Sequence, residues 1–146
     1  MAKGYPDFFG FSTFPQFGKM LYTNINANCP GGGITTDVLS IAGKGRTYTG
    51  YFSVSLGVTN GVSFNVRVVI DGQTYRMNNI RTDFTANIAS VPDALLRLVY
   101  YVETGGSCFY TIAKDWTFAQ SFIIQVTNGT GVASAVFGEF HYASIQ

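Results

Sequence analysis

Charge is the scarcest property of this 146-residue chain: only 12% of its residues are charged, nine Lys and Arg against eight Asp and Glu. Ordinary globular domains carry about 25%. With no basic excess to attract a phosphate backbone, nucleic acid is not expected as a partner. Histidine and tryptophan occur once each, as His141 and Trp116, and cysteine twice, as Cys29 and Cys108. A lone histidine and the absence of any Cys-x-x-Cys spacing supply no metal-site pattern, so neither metal nor cofactor is expected. A chain of this length can bury roughly 68–70% of its unfolded surface without disulfides. The two cysteines are therefore read as free thiols, a Cys29–Cys108 bridge being the alternative. No run reaches the ~18 apolar residues of a membrane-spanning helix. Met1–Asp7 places Pro6 and Asp7 where a secretory signal needs an apolar stretch. The expectation is a protein made in the cytoplasm, with no membrane partner. Disorder is excluded as well, because 47% of the residues are apolar.

What the chain has in abundance is glycine and aromatic side chains: 17 Gly, 13 Phe and nine Tyr. That combination suits strands joined by tight turns. Residues 1–33 stand apart. Phe8, Phe9, Phe11, Phe14 and Phe17 are interrupted by Gly10 and Pro15 and fit no sustained helical or strand period, which reads as an extended aromatic arm. Such an arm either folds over its own domain or docks on a neighbouring subunit, and both readings stand at this point.

From residue 34 to residue 146 the pattern is that of a β domain. Gly50, Phe52, Val54 and Leu56 alternate with Tyr51, Ser53 and Ser55. Val62, Phe64, Val66, Val68 and Ile70 alternate in the same way, as do Val132, Ser134, Val136, Gly138, Phe140 and Tyr142. Asn60-Gly61, Asp71-Gly72 and Gly105-Gly106 predict hairpin turns, and Asn128-Gly129-Thr130 reads as a further hairpin tip. Ser90-Val91-Pro92-Asp93 predicts one helical turn over 92–96. About eight strands with closely spaced turn signals predict an all-β, antiparallel sandwich, jelly-roll-like, preceded by the N-terminal arm.

Constellations able to carry chemistry are sparse. His141 and Glu139 share a strand face, but no third ligand or nucleophile accompanies them. Nothing selects two of the eight acids as a glycosidase pair. Gly43-Lys44-Gly45-Arg46 lacks the spacing of a phosphate loop, and Asn24, Asn26 and Asn28 lack the carboxylates of a calcium loop. No enzyme activity is expected. Aromatic side chains that stack on sugar rings are a separate reading, for which Trp116 and Tyr110 are the candidate ligand-binding residues.

Ile70-Asp71-Gly72, then Ser121-Phe122-Ile123-Ile124-Gln125-Val126 and Gly138-Glu139-Phe140-His141-Tyr142 resemble β-sandwich proteins of tailed-bacteriophage virions. The resemblance covers residues 37–142. It implies a non-enzymatic structural role, as a capsid decoration or minor capsid component located in the virion. The implied partners are further copies of the chain, in a trimer for example, and the major capsid protein. The expected interface is Phe8, Phe9, Phe11, Phe14 and Phe17. The alternative is a carbohydrate- or host-receptor-binding module.

Overall fold

A computed structural model describes residues 17–57, 61–86, 95–102, 106–113 and 115–145. In chain order the strands are β1 (Phe17–Cys29), β2 (Ile34–Ala42), β3 (Gly45–Ser55), β4 (Phe64–Ile70) and β5 (Gln73–Asn79). After a short helix, α1 (Ile80–Thr85), come β6 (Leu96–Tyr101), β7 (Ser107–Ile112), β8 (Thr117–Phe118), β9 (Ser121–Asn128) and β10 (Ser134–Ile145). One sheet has the order β1-β10-β3-β7-β6, with β8 paired to β3, and the other has the order β2-β9-β4-β5. All pairings are antiparallel. Strands from the two ends of the chain interleave, and β1, β2, β3 and β4 alternate between the sheets. That is the double Greek key of a jelly roll.

Period-two alternation builds the core. Along β9, Phe122, Ile124 and Val126 turn inward, and along β4 Phe64, Val66 and Val68 do the same. Phe52, Phe64, Tyr110, Phe122 and Phe140 are completely buried. Phe122 of the second sheet stacks on Phe140 of the first with centroids 5.3 Å apart, and Phe52 stacks on Tyr110 at 5.0 Å. Each buried Phe contributes roughly 1.5–3 kcal/mol of transfer free energy, so these rings are a substantial part of the core's cohesion. Gly138 permits a close backbone approach between β10 and β3. A Cβ there would lie 2.0 Å from the carbonyl oxygen of Tyr51.

Several expectations change. Residues 17–29, read from sequence as part of the arm, form β1 and pair with β10 from Phe17↔Ile145 to Cys29↔Ser134. The sandwich therefore takes in residues before 34, while residues 1–16 lie outside the described residues. The hairpin expected at Asn60-Gly61 does not join β3 to β4, which belong to opposite sheets; Gly61 opens a 3-10 turn, and Asn60 lies outside the described residues. Asn128 is likewise no hairpin tip. It is buried at the crossing from β9 to β10, where its amide donates to the carbonyl oxygens of Cys29 (3.0 Å) and Val132 (2.8 Å). Asp71-Gly72 does join a hairpin, β4–β5, with both residues at positive φ. Strands β6 and β7 pair as expected, with Gly105 outside the described residues. The helical turn expected over 92–96 falls largely outside them too, and Leu96 already belongs to β6. The described helix is α1, capped by the Asn79 side chain, which accepts from the Thr82 amide at 2.7 Å. Both cysteines are free and buried.

Candidate functional site

The two outward faces of the sandwich differ in kind. On the second sheet, cross-strand rows run Thr35–Thr127–Asn65–Asn79, Asp37–Gln125–Arg67–Met77 and Ser40–Ile123–Val69–Thr74. Polar side chains there pair with one another, the buried Gln125 Oε1 being left without a protein partner. Thr35 and Thr127 share a hydrogen bond of 2.7 Å, Gln125 donates to Asp37 at 2.7 Å, and the Arg67 guanidinium donates to Thr74 at 2.7 and 3.0 Å. Such a face is well suited to water.

The first sheet presents aromatic rings instead. Its rows run Asn26–Phe137–Ser53–Phe109–Tyr100, then Asn24–Glu139–Tyr51–Thr111–Arg97, then Tyr22–His141–Thr49. Tyr51 stacks on Phe109 with centroids 5.4 Å apart, and Tyr22 on His141 at 5.9 Å. Phe137 keeps 56% of its surface in solvent and Tyr22 keeps 66%. A shallow concavity of about 380 Å³ lies between Phe137, Tyr51 and Asn26. Glu139 and His141 are neighbours here, Oε2 to Nε2 3.7 Å, as a solvent-facing pair.

A second concavity, of about 480 Å³, opens where the β4–β5 hairpin meets the segment entering β8. Trp116 lies in its wall with its ring edge-on to Tyr75, centroids 4.7 Å apart. Tyr110, the other sugar-stacking candidate, is corrected by the structure. It is fully buried and donates its hydroxyl to Asp83 Oδ2 at 2.6 Å, so no ligand ring can reach it. The sequence alone does not pair Tyr75 with Trp116. The pair forms only through long-range folding, and its sole local sign was a bulky residue in a polar hairpin. Of the expected interface residues, Phe8, Phe9, Phe11 and Phe14 lie outside the described residues. Phe17 starts β1, its backbone paired to Ile145.

The described acids have separate local partners. Asp71 accepts from the backbone amides of Ala119, Gln120 and Ser121 at 2.7–3.0 Å, which holds its carboxyl below the usual range. Asp83 is buried against Arg76, Asn78 and Tyr110. Asp115 pairs with Arg46 at 2.6 Å. Among the described residues no group of three or more His, Cys, Asp and Glu side chains could hold a metal ion.

No family model matches the chain, and no curated protein sequence does. Solved structures to which it is similar include the following three. One is the VP2 subviral particle of infectious bursal disease virus, with TM-score 0.46, 9% identity and coverage of 87% of this chain and 33% of that one. A second is the capsid of Helicobacter pylori bacteriophage KHP30, with TM-score 0.45, 12% identity and coverage of 86% and 91%. A third is PirA, with TM-score 0.42, 10% identity and coverage of 81% and 92%. The chain thus spans about a third of the VP2 chain. The jelly-roll topology stands on the strand order itself.

Proposed function

We propose that this chain is a non-enzymatic structural protein of a virus particle, a capsid decoration or minor capsid component that associates with further copies of itself. The observation that carries the reading is the contrast between the polar outer face of the second sheet and the aromatic outer face of the first. Interfaces are enriched in aromatic residues and depleted of charge at their centres, and an exposed aromatic patch with a polar rim marks a contact surface. Low overall charge and the resemblance of residues 37–142 to tailed-phage virion proteins support the same reading. In this scheme Phe8, Phe9, Phe11, Phe14 and Phe17 dock on a neighbouring subunit, with an arm Phe entering its Phe137–Tyr51 concavity. A buried aromatic anchor in a pocket is the usual form of an interface hot spot. The partners are other copies, in a trimer for example, and the major shell protein, and the location is the virion. Mass photometry of the full-length protein tests this directly. A discrete multi-subunit mass that collapses to the monomer when residues 1–16 are removed, with thermal unfolding still cooperative, is the expected result. A monomer at all concentrations defeats the reading.

A further inference from the structure

We propose that the concavity between Trp116 and the β4–β5 hairpin is a binding site for an uncharged saccharide. This site is separate from the aromatic face of the first sheet, because Tyr75 belongs to β5 at the edge of the second sheet. The two inferences therefore stand or fall independently.

Three features converge on the cavity. The first is its shape and lining. At about 480 Å³ it falls within the roughly 300–1,000 Å³ of small-ligand pockets, which are typically apolar with a few placed polar groups. Tyr75 and Trp116 supply aromatic surface, Gln73 an amide, Asp115 a carboxylate and Thr117 a hydroxyl. Sugar rings present the complementary pattern: C–H-rich faces that lie against aromatic rings, and an equator of hydroxyls that donate to a carboxylate and accept from an amide.

The second is rigidity. Thr47, completely buried, clamps the Trp116 segment: its hydroxyl donates to the Ala113 carbonyl at 2.8 Å and accepts from the Trp116 amide at 3.0 Å. Its backbone also bonds Trp116 O at 2.8 Å and the Asp115 amide at 2.9 Å. The opposite wall is tied down by the Asp71 carboxylate, which bridges the β4–β5 turn to residues 119–121. A site fixed before the ligand arrives loses little ordering entropy on binding.

The third is the turn at Asp115. Its φ of 71° is a left-handed conformation that Asp tolerates better than most residues, and the turn carries the carboxylate in the cavity wall beside Trp116. The charge of Asp115 is already matched by Arg46 at 2.6 Å, which favours a ligand without net charge.

The chain's sole tryptophan lies in this wall, so its fluorescence reports occupancy directly. The probes are methyl glycosides of glucose, galactose and mannose, N-acetylglucosamine oligomers, and an acidic sialyl-lactose, titrated to millimolar concentrations. The expected result is a saturable change with at least one neutral sugar, weakened about tenfold or more by Tyr75→Ala and by Asp115→Asn. Tyr75 is 54% exposed, so its removal leaves the fold and the fluorophore in place. A thermal melt matching that of the unsubstituted protein verifies this. No saturable change with any neutral sugar, undiminished affinity in Tyr75→Ala, or a preference for sialyl-lactose would overturn the proposal.

Discussion

The hydroxyl of Tyr110 donates to Asp83 Oδ2 at 2.6 Å, and both residues are completely buried. Tyr110 comes from β7 of the first sheet, Asp83 from α1, and the Arg76 guanidinium and Asn78 amide that share Asp83 Oδ1 come from β5 of the second. This polar knot therefore joins the two sheets through α1, which packs against β4, β5 and β6. Burial, followed by the charge of Asp83 and the hydrogen bond to it, pushes the Tyr110 phenol far above its ordinary range. Tyr110→Phe deprives a buried carboxylate of one donor and is expected to cost about 1–3 kcal/mol. Asp83→Ala leaves the Arg76 guanidinium, only 10% exposed, without its counter-ion and is expected to cost about 3 kcal/mol. Urea denaturation of the two variants measures both. Equal costs would mean that Arg76 finds another partner.

Asp71 provides a pH-dependent staple. Its carboxyl is held low by the amides of Ala119, Ser121 and Gln120, against an ordinary value of 3.8. A depressed pKa contributes stability that is fully present above the unfolded value and is lost as pH falls through the folded one. Asp71→Asn should therefore lower the melting temperature at neutral pH, and the gap from the unsubstituted protein should close below pH 3.8. A gap independent of pH would locate the effect in shape rather than charge.

How much of this was legible in the sequence depends on the range of the interactions involved. Strands such as 50–56 and 132–142 announce themselves because burying one face forces a period of two. The same period, applied to Cys108, Tyr110 and Ile112, places Tyr110 on the apolar side of β7, where it is found. The aromatic content of Tyr110 drew attention to sugar stacking instead. In β1, Ile25, Ala27 and Cys29 alternate with Asn24, Asn26 and Asn28, but Asn is a poor strand former and hid the pattern. Turn chemistry is local, so Asn60-Gly61 and Asn128-Gly129 cannot reveal that the chain crosses to the other sheet there. What decides the crossing is distant: the Gly129 amide donates to Ser63 O at 2.7 Å, bringing the two corners together. The Tyr75–Trp116 wall and the aromatic face arise in the same way, from strands that are remote in sequence.

Both cysteines should be silent in the native state. Burial pushes the Cys108 thiol up to about 12, and burial also raises Cys29. Since the thiolate is the reactive species, neither should be alkylated by iodoacetamide at pH 8 until the sandwich opens. Mass spectrometry after brief labelling is expected to show an unmodified native protein and a doubly modified one in urea. A singly labelled native protein would indicate local opening around one thiol, and β1, at the sheet edge, is where it would be expected.

The two outer faces invite a direct comparison by substitution. Phe137 and Tyr22 are exposed on the first sheet, whereas Thr127 and Gln125 occupy equivalent outward positions on the second. If the aromatic face is where copies meet, Phe137→Ser removes an anchor worth about 2 kcal/mol or more at an interface, roughly a thirtyfold loss in association. It should leave thermal stability of the isolated subunit almost unchanged, because a solvent-facing ring contributes little to folding. Gln125→Ala on the polar face should leave association unchanged, its cost being confined to the hydrogen bond with Asp37. Concentration-dependent mass photometry of the two variants beside the unsubstituted chain reads the difference. Equal association for all three would remove the first sheet's outer face from the assembly surface.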